Sequence, residues 1–223
     1  MIAKLLLQNL VVVVGMGALL FAAAGTFDWP PAWFYLILSA LLGPACGLWL
    51  AKTNPGLLAE RLKMTAAEQP VADKLFMAVF MLAIVIWVVV MGVDWRMVAS
   101  DVPLVLQLLG LAMFFASTGF IMWVFHENSF AAPVVKVQAE RHQQVVSTGP
   151  YAHVRHPMYA GVMLYFIGIP LLLGSWWGLA MVPIFLVLFA IRSRIEERTL
   201  VAGLPGYADY MSRVRYRLFP GLW

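Results

Sequence analysis

Charged residues withdraw into blocks along this chain and leave six apolar stretches between them: Leu5 to Ala24, Trp33 to Ala51, Leu75 to Val93, Leu104 to Phe125, Pro157 to Leu173 and Trp176 to Ile191. None of the six contains Asp, Glu, Lys or Arg. A helix needs about 20 apolar residues to cross the bilayer hydrocarbon, with roughly 17 as a lower bound. The first four stretches meet that length and the last two stand at its edge. Only Gly174 and Ser175 separate the last pair. A tight helical hairpin is expected there, either two short tilted spans or a re-entrant pair, because in lipid every backbone polar group must be satisfied internally. The pattern predicts an all-α, multi-pass membrane protein with about six transmembrane helices.

Composition agrees with that reading. Of 223 residues, 63% are hydrophobic and only 12% charged, whereas a soluble domain keeps about a quarter of its residues charged. A soluble globule and a disordered chain are excluded, and a net charge of +4 reflects topology rather than a nucleic-acid partner. The single cysteine, Cys46, cannot form an intrachain disulfide. Six crossings place 14 of the 15 basic residues on one side, with Arg96 alone on the other. Lys and Arg collect on the cytosolic side, so both termini are expected to be cytosolic. Lys4 before a run ending in Ala22-Ala23-Ala24 has the outline of a secretory signal, but the run is long and only one basic residue precedes it. Oligomeric state is not legible.

Two segments on the basic side hold the candidate chemistry. In Lys136 to Gly161, Gly149-Pro150 forces a turn, and Tyr151, His153, Arg155, His156, Pro157 and Tyr159 follow at the start of the fifth stretch. Pro157 suits a first helical turn, which puts Arg155 and His156 beside free amides able to hold an anion. In Arg192 to Trp223 a helical continuation would set Glu197 three residues after Arg194, close enough to pair. On these residues alone, Arg192 to Arg198 reads more simply as a solvated basic helix end. His126 and Glu127 read as an interface cap. Trp29, Trp33, Trp95, Trp176 and Trp177 read as an interfacial aromatic belt. No metal site is expected, because Pro157 and Gly149-Pro150 break any helix that would present the histidines together. A transporter would place ionisable groups inside its spans; here they form a cap on one face.

With Gly149-Pro150-Tyr151, Arg155-His156-Pro157-x-Tyr159-x-Gly161 and Glu196-Glu197-x-x-Leu200, the chain resembles the isoprenylcysteine carboxyl methyltransferases and their relatives, the phospholipid N-methyltransferases. The likeness runs from about Asn128 to the C-terminus, with a looser echo in Asn54-Pro55-Gly56-Leu57-Leu58-Ala59-Glu60-Arg61. It implies an integral membrane enzyme, of a bacterial type and so in the inner membrane, that uses S-adenosyl-L-methionine. The apolar pattern gives residues 1–125 four transmembrane helices, and the resemblance makes 126–223 the catalytic region. The resemblance assigns the cofactor to Val146, Gly149, Tyr151, Arg155, His156, Pro157, Tyr159, Glu196 and Glu197, and catalysis to Glu197, Arg194 and His156. The acceptor it implies is lipophilic, a small molecule or a lipidated chain met in the bilayer: an isoprenylcysteine-type carboxylate first, a phospholipid amine or a small thiol as alternatives. The residues after the Glu pair, Leu204-Pro205-Gly206-Tyr207, depart from the prenylcysteine pattern, so the cofactor carries over more securely than the acceptor. Independently, no GxGxxG follows a strand, so the cofactor must be held by loops and helix ends.

Overall fold

A computed structural model describes residues 1–63 and 71–223. Among them the chain is helical with no strand: α1 (Ile2–Ala24), α2 (Pro30–Thr53), α3 (Pro55–Leu62), α4 (Val71–Met97), α5 (Leu104–Glu127), α6 (Pro157–Leu173), α7 (Trp176–Ala180), α8 (Val182–Gly203) and α9 (Tyr207–Arg213). The α1, α2, α4 and α5 helices and the near-continuous α7–α8 are long and apolar enough to cross a membrane, while α6 has 17 residues. The protein is a multi-pass membrane protein. The hairpin expected at Gly174-Ser175 is present. Gly174 ends α6 in the left-handed region at φ 78, and the Ser175 hydroxyl accepts from the Gly178 amide to cap α7. The last span exceeds its apolar stretch because α8 continues twelve residues past Ile191, carrying the Glu pair on a rigid helix.

Helices that are apolar nearly all round carry no stripe to choose their neighbours, so close backbone approach does so. A Cβ on Gly110 would lie 2.5 Å from the Gly168 carbonyl oxygen, and one on Gly168 would lie 2.8 Å from that of Gly110. The α5–α6 pair is therefore locked glycine to glycine. Gly92 of α4 lets α1 approach in the same way, its virtual Cβ lying 2.7 Å from the Leu20 carbonyl oxygen. Within the bundle an aromatic column runs towards the polar end: Phe166 stacks on Phe185 at 3.9 Å, and Phe189 stacks on Tyr159 at 5.0 Å. Trp87 donates its indole N–H to the Gly178 carbonyl at 2.9 Å.

The aromatic belt holds only in part. Trp33, Trp176 and Trp177 are exposed, but Trp29 is fully buried and stacks on Trp95 at 5.2 Å. The chain between α1 and α2 turns Trp29 inward against Trp95 of α4.

Candidate active site

The site begins at the foot of α6. His156 is the residue before its first turn and Pro157 occupies that turn. The backbone amides of Arg155 and His156 donate to the carbonyls of Tyr216 and Arg217 at 2.9 and 2.8 Å. The tail is thereby laid alongside the Arg155-His156-Pro157 segment. Tyr210 of α9 donates its hydroxyl to the Tyr151 carbonyl at 2.8 Å. Gly149, at φ 54, sits where a Cβ would lie 2.6 Å from the Glu127 side chain, and Thr148 donates to that same carboxylate at 2.7 Å. The turn after Thr148 is thus pinned to the end of α5 through Glu127.

Against this frame α8 presents two carboxylates with different surroundings. Glu197 is buried among cations: Arg155 Nε donates to Oε1 at 2.7 Å, His156 Nε2 lies 3.3 Å from Oε1, and Arg217 Nε donates to Oε2 at 2.9 Å. Arg155 also donates to the Val214 carbonyl at 3.0 Å. Glu196, one residue earlier and more open, accepts from the Tyr159 hydroxyl at 2.5 Å and lies 3.5 Å from His156 Nδ1. The imidazole is held between both carboxylates and stacks flat on Tyr159. Burial alone would lower its pKa, but the hydrogen bonds and charges of Glu196 and Glu197 outweigh burial, and the net shift is upward from 6.5.

Two sequence expectations are corrected by these contacts. Arg194 does not pair with Glu197; it is exposed and lies over Trp223 at 5.9 Å, while Glu197 takes its partners from α6 and the tail. The stretch Arg192 to Arg198 is not simply solvated either. Arg192 is buried, donates to the Tyr159 hydroxyl at 3.0 Å and to the Pro133 carbonyl at 2.5 Å, and lies 3.6 Å from the fully buried Asp73. A helix wheel shows which residues share a face; it cannot show that α4 and α6 press against that face.

A narrow pocket with a cavity volume of about 70 Å³ lies between these groups. Val146, Tyr151, Arg155, His156, Tyr159 and Glu196 line it. Of the other expected residues, Gly149 and Pro157 shape the backbone around it, Glu197 stands behind Arg155 and His156, and Arg194 faces a separate basic hollow with Arg198 and Arg217. Sequence reasoning missed Lys136, Leu200, Leu204, Tyr207 and Tyr210 in the wall; the departure after the Glu pair was the one signal pointing to the last three. It also missed how the Asn54–Arg61 echo serves the site. Asn54 caps α3 and donates to Ser129 at 2.7 Å, and Arg61, stacked on Phe125, donates to the Ala131 carbonyl at 2.8 Å, so α3 braces the pocket rim.

A bundle of membrane-spanning helices with a buried ionic pocket at one end, built where α6 and α8 meet the tail, defines a polytopic membrane protein with enzyme-like polar chemistry. Residues 105–204 match the model of the phospholipid methyltransferase family. The match takes in α5, the Gly149–Gly161 motif and the Glu pair, that is, the elements that build the pocket. No curated protein matches the chain.

Proposed function

We propose that the protein is an S-adenosyl-L-methionine-dependent methyltransferase acting on a lipophilic acceptor that carries a carboxylate of the isoprenylcysteine type. The observation that carries this reading is a carboxylate, Glu196, set in a pocket of tyrosines 3.5 Å from His156 Nδ1. The donor set fits the cofactor. Tyr151, Tyr159, Tyr207 and Glu196 suit a sulfonium, and Ala131, Ala132, Leu200 and Leu204 offer an apolar slot for the adenine. The cofactor would supply an electrophilic methyl group.

The protein's part is then alignment and exclusion of water, worth several kcal/mol together. Arg192 fixes the Tyr159 oxygen, and Tyr159 in turn fixes Glu196. Glu197 acts from behind, holding Arg155 and His156 in position. A carboxylate acceptor is ionised at neutral pH and needs only positioning. An amine acceptor would need a base, for which Glu196 now stands better placed than Glu197. In this proposal 126–223 is the catalytic region, and α3 and Asp73 of the first half close it. The face bearing the pocket is cytosolic, in keeping with its basic residues.

Calorimetry on the purified protein in detergent is expected to detect adenosylmethionine and adenosylhomocysteine, and no heat for either would end the assignment. Membranes incubated with methyl-labelled cofactor are expected to give a product that releases methanol in base. A base-stable labelled product would move the acceptor to an amine or thiol, and absence of any labelled product would favour a binding or transport protein.

A further inference from the structure

The first turn of α4 holds a buried carboxylate to which the proposed reaction gives no task. Asp73 is fully buried and stands behind the pocket rather than in its wall. It also lies outside residues 105–204, which match the family model. Its Oδ2 accepts from the Val135 amide at 3.2 Å. Its Oδ1 lies 3.6 Å from Arg192 Nη2, with no hydrogen-bond partner among the described residues. Phe76 and Met77, three and four residues further on, share that face of the helix. The Arg192 guanidinium lies over the Phe76 ring at 5.0 Å, and its Nη1 donates to the Met77 sulfur at 2.9 Å. Carboxylate, ring and sulfur make one face of α4 a cradle for the guanidinium.

From that cradle Arg192 reaches two walls of the pocket. Its Nε donates to the Tyr159 hydroxyl at 3.0 Å, which donates in turn to Glu196, and its Nη2 donates to the Pro133 carbonyl, flanked by the wall residues Ala132 and Val134. A guanidinium is a rigid planar fork, so a tilt moves both contacts together. A buried ion pair adds little stability that well-packed apolar side chains would not supply; what the Asp73 charge adds here is direction. We propose that Asp73 is a positioning residue of the methyl-transfer site, holding Arg192 so that its fork sets Tyr159 on one wall and the 132–134 backbone on the other. This role rests on reading the pocket as an adenosylmethionine site and adds to it a residue from the first half of the chain.

The test is calorimetric titration of adenosylhomocysteine into the full chain in detergent, for the wild type, Asp73→Asn, Arg192→Lys and the double variant. Asp73→Asn keeps an oxygen for the Val135 amide and loses the charge; affinity is expected to fall about tenfold, the effect of one misplaced charge-assisted hydrogen bond. Arg192→Lys should lose about as much, and the double variant no more than either single one, because Asp73 acts only through the fork that lysine lacks. A residue that merely supported the fold would add its own loss to that of Arg192→Lys, about a hundredfold together. That result would overturn the proposal, as would wild-type affinity in Asp73→Asn. Should Asp73→Asn fail to fold with Arg192 left in excess, Asp73→Asn/Arg192→Met removes both charges together and strands neither. It is expected to fold and to bind about tenfold more weakly, and wild-type affinity there would overturn the proposal equally. No heat from the wild type would end the cofactor reading and this role with it, whereas heat from the wild type with an unmoved Asp73→Asn would end this role alone.

Discussion

Replacing Glu197 with alanine separates the two carboxylates of α8 by their physics. Glu197 is 4% exposed and meets Arg155 and His156, themselves 8% and 5% exposed, and its removal leaves the Arg155 guanidinium buried without its carboxylate partner. Breaking a buried pair by deleting one partner costs about 3–5 kcal/mol. For a chain of this size each kcal/mol moves Tm by roughly 2–4 °C, so Tm should fall by roughly 6–20 °C. Glu196→Gln is the control. Its side chain is 30% exposed, the amide oxygen can still accept from Tyr159, and the loss should be about 1 kcal/mol, or a few °C. Glu196→Gln should nonetheless weaken adenosylmethionine binding about tenfold or more, because the lost charge faces the pocket. Intrinsic tryptophan fluorescence during heating in detergent, with calorimetry alongside, reads both effects. Equal Tm values for the two variants, or a fall of less than about 3 °C for Glu197→Ala, would refute the division of roles.

Three further outcomes are expected. The pKa of His156 is raised on folding, so its contribution to stability is complete below about pH 6.5 and is lost as pH climbs through the folded value; Tm should decline above pH 6.5 in the wild type and flatten in His156→Gln. Gly110→Leu should force α5 from α6, since a Cβ there already lies 2.5 Å from backbone, costing at least the roughly 1–3 kcal/mol of an overpacked core, and a thermal scan near the wild-type value would contradict it. Arg192→Lys keeps the charge but loses the planar fork that holds both Tyr159 and the Pro133 carbonyl; cofactor affinity should drop about tenfold with little change in fold by circular dichroism, and unchanged affinity would remove Arg192 from the positioning chain.

The sequence alone determined the number and rough bounds of the apolar stretches, the tight α6–α7 turn at Gly174-Ser175 and the two segments that carry the pocket. These follow from local rules: the length a bilayer demands and the turn and first-turn habits of Gly and Pro. The face each segment turns towards the others was decided only by tertiary packing. Glu197 could pair with Arg194 on its own helix, yet Arg155 and His156 reach it from more than forty positions away and exclude water as they do so. An exposed pair on one helix is worth a few tenths of a kcal/mol, whereas a buried site must satisfy every charge it holds. The same logic turned Arg192 inward to Tyr159 and Asp73 and left Arg194 outside. Spacing along the chain carries the first kind of information, and only the meeting of α4, α6, α8 and the tail carries the second.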